Sequence, residues 1–189
     1  MSKWVERYSG PAIALHWLVG VLMIVNVFLG LTTEAFGKAN TRFVIGIHES
    51  MGVTILGLML MRVLWRATHR PPEFPGNYKP WERRLSLAVH GLLYLVALGL
   101  PVSGLILDSA WNLAPTVKWQ WFGLFEWPRI GWIMGLEPGL RQFVHVGFSK
   151  LHELLAWVLY LLFVLHVGGA LKHQFIDKEK EFQRMWPAR

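Results

Sequence analysis

Cysteine is missing from all 189 residues. That removes disulfides, iron–sulfur clusters and thiolate metal sites together. Charge is scarce as well, at 16% of residues, against about 25% in a soluble domain. Acidic groups are the scarcer sign, with 12 Asp and Glu set against 19 Lys and Arg. No internal repeat of the length that builds solenoids or propellers is visible.

In their place the chain has apolar residues, 53% of the total, and eleven Trp. Residues 12–31 and 85–107 carry no charge at all, while 43–61 hold only Glu49 and 151–171 only Glu153. About 20 apolar residues suffice for a helix to cross the hydrocarbon core. The pattern predicts an all-α integral membrane bundle, a single domain over 1–189, with spans at about 12–31, 43–65, 85–107 and 151–171. No small-residue cleavage pattern follows the first run, so it is expected to remain as an anchor.

Basic residues set the expected orientation. Two lie before the first span, six across 62–84 and five after Leu171, thirteen of the 19 in all. The positive-inside rule then puts both termini in the cytoplasm. A net charge of +7 needs no nucleic acid; the basic tail suits lipid headgroups. The Pro-rich stretch 67–84 is expected to be an extended cytoplasmic loop. The outer connection, 108–149, is expected to form short interfacial helices with Trp111, Trp119, Trp121, Trp127 and Trp132 at headgroup depth.

Eight histidines remain to be explained: His16, His48, His69, His90, His145, His152, His166 and His173. His69 falls in a loop. His152 and His166 are fourteen residues apart on one span, hence on nearly one face and ~21 Å apart along the axis. Counted from the membrane faces, His16 matches His166 in depth near the cytoplasm, and His48 matches His152 near the outside. Intramembrane ionisable groups are costly and face the bundle interior. A divalent-metal site would want carboxylates or thiolates beside the imidazoles, and only Glu49 and Glu153 are at hand, both in the outer layer. Two imidazoles across an apolar gap suit the axial positions of a haem.

The stretches "ALHWLVGVLMI", "GIHESMGVTILGLMLMRVLWR", "HGLLYLVALGLPVSGLI" and "KLHELLAWVLYLLFVLHVGGALKHQF" resemble the prokaryotic cytochrome b561 family of di-haem membrane proteins. The resemblance implies two haem b groups, with His16 and His166 on the cytoplasmic-side iron and His48 and His152 on the outer one. It also implies electron transfer to membrane quinone. Its bacterial superoxide oxidases pass electrons from periplasmic superoxide to ubiquinone at the inner membrane. A cytochrome subunit of a larger dehydrogenase or hydrogenase, docked to a redox partner, is a second reading. A non-redox metal-binding membrane protein is a third.

Several further residues take expected roles on that basis. Arg62, fourteen positions after His48, is placed to meet a haem propionate. His90 lies near the inner layer as support or as a replacement ligand. Glu49 and Glu153 each follow a proposed ligand and are candidates to steady a ligand on another helix. His173, with Lys79 and Trp81, is a candidate quinone contact. On the outside, Lys118, Arg129, Arg141 and Lys150, with His145, are candidates to draw an anion inward.

Overall fold

The computed structural model describes residues 6–76 and 78–187. Backbone N–H and C=O groups in hydrocarbon must be satisfied within their own segment, and each apolar run accordingly becomes helix. The order is α1 Gly10–Thr32, α2 Lys38–Thr68, α3 Pro80–Ser109, a one-turn α4 Gly131–Met134, α5 Pro138–Leu171 and a short α6 Glu181–Met185. Of these, α1, α2, α3 and α5 are long and apolar enough to cross a membrane. Local chemistry sets their starts. Proline occupies the first turn of α1, α3 and α5, where a missing N–H costs nothing. Glu137 accepts from the Leu140 N–H at the head of α5, and Glu82 accepts from the Lys79 N–H at 2.9 Å on α3. A 3-10 turn, Thr33–Phe36, closes α1, and Gly37 at φ 76° reverses the chain into α2.

The helices pair as α3 with α5 and α1 with α2, and α2 joins the two pairs through α3. One apolar seam holds Val89, Val96 and Leu100 against Leu159 and Leu162. The other holds Val19, Ile55, Met59 and Ala97. Many of the large apolar side chains point outward instead, Phe143 at 75% exposure and Leu95 at 67%, as a lipid-solvated bundle allows. Direct packing between α5 and the α1–α2 pair is sparse. That leaves a slot along the bundle.

All four predicted spans fall inside helices, but the helices run further. α2 begins at Lys38 rather than 43, α3 at Pro80 rather than 85, and α5 at Pro138, thirteen residues before the predicted 151. Charge-free windows mark the hydrocarbon core alone. Arg141, His145 and Lys150 are helical residues of α5, in a part of the helix that continues past that window.

The outer connection differs from its expected form. Besides α4 and the start of α5, the segment contains a two-stranded hairpin, β1 Gln120–Trp121 and β2 Phe125–Glu126, with Trp121 opposite Phe125. Phe122 and Gly123 turn it at φ 47° and 75°, the positive-φ geometry that tight hairpins favour. Trp119 is buried within the protein, at 3% exposure. A buried ion pair anchors the segment: Arg129 meets Asp108 in a fork, Nε to Oδ2 at 2.6 Å and Nη2 to Oδ1 at 3.2 Å. Arg129 Nη1 also donates to the carbonyls of Ala114 and Val117.

Four crossings place both described chain ends at one end of the bundle, called lower below; the hairpin end is upper. There the tail folds back. Trp17 Nε1 donates to the Met185 carbonyl at 2.7 Å, Arg184 Nη2 to the Glu73 carbonyl at 2.6 Å, and Tyr78 Oη to Glu181 at 2.7 Å. Two of the basic residues behind the expected orientation, Lys3 and Arg189, lie outside the described residues.

Candidate functional site

A fourteen-residue interval recurs on every long helix. It links His16 to Gly30 on α1, His48 to Arg62 on α2, His90 to Gly104 on α3, and His152 to His166 on α5. Fourteen residues are close to four turns, so each helix presents one of the pair to each of two layers. The lower layer gathers His16, Arg62, His90 and His166. The upper gathers Gly30, His48, Gly104 and His152.

In the upper layer the His48 and His152 ring centroids stand 6.2 Å apart. Both imidazoles are fixed from behind. His48 Nδ1 lies 3.0 Å from the Asn26 carbonyl, which can only accept, so Nδ1 carries the proton and Nε2 is bare. Ser103 donates its hydroxyl proton to the Leu100 carbonyl at 2.8 Å and accepts from His152 Nδ1 at 2.9 Å. The neighbouring positions are glycines that leave the rings room. A Cβ at Gly30 would stand 3.2 Å from His48 Cε1, and one at Gly104 3.4 Å from His152 Cε1.

The lower layer is more open. His16 and His166 have ring centroids 6.0 Å apart and border a cavity of about 350 Å³ that His90, Arg62 and Tyr94 also line. Arg62 Nη1 lies 3.0 Å from His16 Nδ1, and its Nε donates to Tyr94 Oη at 3.0 Å. His90 donates from Nδ1 to the Ser86 carbonyl at 2.7 Å. Its ring centroid is 5.1 Å from that of His166.

These separations test the fit of a haem. An imidazole nitrogen binds a transition metal at roughly 2 Å, and the ring centre lies about 1 Å further out. Two imidazoles on one iron therefore need centroids roughly 6 Å apart. His16–His166 and His48–His152 meet that at 6.0 and 6.2 Å. His90–His166, at 5.1 Å, is too close. The apolar walls of the lower cavity and, in the upper layer, the bare Nε2 atoms and the glycine clearances suit a flat macrocycle. With both axial places filled by imidazole, such an iron would carry electrons rather than bind oxygen.

Other predicted residues are placed less simply. Tyr78, rather than Lys79 or Trp81, faces His173: their rings stack at 4.1 Å. His173 Nδ1 also bonds Asp177 at 2.6 Å. Trp81 is exposed and so is Lys79. Burial, and then the hydrogen bond to Glu181, hold the Tyr78 phenol above its ordinary range. Lys172 holds the Asp177 carboxyl below the usual one through a direct hydrogen bond. Arg129 is not an outward-facing charge, because Asp108 takes it. Lys118 is exposed but paired with Glu126 at 2.7 Å, and Arg141 donates to the Met134 carbonyl. His145 bonds the Leu107 carbonyl. Lys150 is exposed, as is Glu153, and Glu49 is partly buried beside Arg42 at 3.5 Å.

Sequence reasoning missed Gly30, Gly104, Asn26, Ser103, Tyr94 and Asp108. The glycines had a signal, since they repeat the interval that joins His152 to His166. The Asn26 contact had none, because a backbone carbonyl is silent in sequence.

Comparison with known proteins agrees along nearly the whole chain. Residues 7–188 match the family described as Prokaryotic cytochrome b561. "Cytochrome b561 homolog 2" of Escherichia coli (strain K12) is 31% identical over 182 residues, covering 95% of this chain and 91% of its own. "Cytochrome b561 homolog 1" of the same organism is 24% identical, covering 97% and 99%. The "Probable superoxide oxidase CybB" of Yersinia pestis is 26% identical, covering 96% and 97%. With four membrane-crossing helices and this family match over most of its length, the chain belongs to the prokaryotic cytochrome b561 family, as a haem-binding membrane electron-transfer protein.

Proposed function

We propose that this protein relays electrons across a bacterial inner membrane through two haem b groups, from periplasmic superoxide to ubiquinone. His16 and His166 hold the lower haem, and His48 and His152 the upper. The observation that carries this is the pair of imidazole–imidazole separations, 6.0 and 6.2 Å, set fourteen residues apart on α5. Two such haems supply one-electron carriage between the two faces of the membrane.

The chain's own groups do the rest. Asn26 and Ser103 keep Nδ1 of the upper imidazoles protonated, so Nε2 is presented to metal in one tautomer. Arg62 has no carboxylate within ion-pair distance among the described residues. A haem propionate is its natural counter-charge. His90 is a supporting group, not a ligand, by its spacing. The lower end is cytoplasmic, with the quinone beside the lower layer, where His173 and Tyr78 stack. Lys150, exposed two residues before His152, is a cation placed for an incoming anion.

Superoxide generated beside purified protein should drive ubiquinone reduction. The rate should fall in the Lys150→Glu variant while haem content holds. If superoxide reduces no haem while a co-purified protein does, the dehydrogenase-subunit reading replaces this one. Tags test the orientation: one after Arg189 should be cytoplasmic and one beside Trp121 periplasmic. A cytoplasmic Trp121 tag would put the upper layer on the wrong side for this donor.

A further inference from the structure

We propose that Arg62 makes the lower haem the stronger electron acceptor of the two, and so sets the direction of flow from upper to lower layer. The inference rests on the two-haem reading above.

Two observations on this chain separate the layers. The first is charge. Arg62 lies against the lower imidazole pair, 3.0 Å from His16 Nδ1, and is unanswered by any carboxylate among the described residues. Two arginines near the upper layer are answered, Arg42 by Glu49 at 3.5 Å and Arg129 by Asp108 at 2.6 Å, while Lys150 is exposed to solvent, where its field is screened. No protein carboxylate among the described residues cancels Arg62, and a propionate of the lower haem that met it would itself be offset. Arg62 therefore makes its layer more positive than it would be without it. A fixed cation in a low-dielectric interior favours whichever neighbouring state carries less positive charge, which is the ferrous one.

The second observation is hydrogen bonding behind the ligands. Both upper imidazoles donate Nδ1–H to neutral acceptors, Asn26 O and Ser103 Oγ. Such donation raises ligand basicity and favours the ferric state. His16 meets a guanidinium on that nitrogen instead. Iron on Nε2 would return the Nδ1 proton to His16, yet the cation would stay in the layer, because Tyr94 Oη holds Arg62 Nε on its own account at 3.0 Å. Both effects point the same way. One electron passing from the upper to the lower iron oxidises one ferrous centre and reduces one ferric centre, with no atom or proton transferred.

The test is a potentiometric titration of the purified holoprotein, with haem per chain counted and the lower component identified by its loss in His166→Ala. Wild type should show the lower component at the higher midpoint. Arg62→Gln should lower that midpoint alone, cutting the constant for electron partition toward the lower haem by about tenfold, or about 59 mV for one electron. Arg62→Lys should retain most of the gap, and Tyr94→Phe should move the lower midpoint by less in the same direction. If Arg62→Gln fails to load haem, Arg62→Lys and Tyr94→Phe decide the matter between them. An unmoved lower midpoint across these variants, or an equal shift in both components, overturns the role of Arg62 and leaves the two haems standing. One haem per chain in wild type would instead overturn the reading beneath it.

Discussion

Around His48 and His152 the residues in fourteen-residue register are Gly30 and Gly104; around His16 and His166 they are Arg62 and His90. The same helical arithmetic thus builds two different sites. Above, backbone comes close, and each ring is held from behind by a carbonyl or a serine. Below, long side chains stand back from a cavity of about 350 Å³. The upper site is fixed in geometry and the lower one in charge. A pair of equivalent haem pockets would have needed neither contrast. What the difference teaches, on the proposed reading, is that ligand spacing would make the relay and the neighbours would give it a slope.

The largest expected effect falls on the upper end. Arg129→Leu leaves Asp108 buried and unpaired, a loss of about 3–5 kcal/mol. Unfolding in detergent should show it, with the upper haem lost before the lower. A second change, Asp108→Leu in the same chain, should restore part of the stability by removing the orphaned charge. Equal loss of both haems would mean the hairpin end is not tied to one layer.

Next come Ser103→Ala and Gly30→Ala, each aimed at the upper ligands alone. Loss of such a supporting contact weakens metal binding by about 10–100-fold, so haem titration should show the upper site weakened and the lower unchanged. Gly57→Ala is the control, because a Cβ there meets nothing within 4 Å and Gly57 does not line the lower cavity.

The smallest effect concerns the lower tail and pH. Asp177 is held below its ordinary range chiefly by Lys172, so its contribution is present above the unfolded value of about 3.9 and is lost as pH falls through the lowered native one. Hydrogen exchange over 177–186 should therefore stay slow from pH 6 to 4 and quicken only below that. Loosening already between pH 6 and 5 would mean that the Asp177 carboxylate is not what holds this tail.

Much of this was legible in the sequence. The spans, and the matching of four histidines by depth, follow from charge-free windows and from a helix with 3.6 residues per turn. What escaped has physical reasons. Helix ends ran long because Pro80 and Pro138 start helices outside the apolar window. The hairpin escaped because two two-residue strands leave no periodicity to read. Arg129 read as a surface cation because its partner, Asp108, lies twenty-one positions earlier. Tyr78 escaped because its stack on His173 joins a loop to a helical turn far along the chain.

The central claim is that one helix, α5, supplies a ligand to each of two haems. The measurement is a reduced-minus-oxidised spectrum with haem counted per chain, for wild type, His152→Ala and His166→Ala. The account predicts two haems in wild type and one in each variant, with a different spectral component missing from each. Loss of the same component from both variants, or a single haem at full occupancy in wild type, would contradict it.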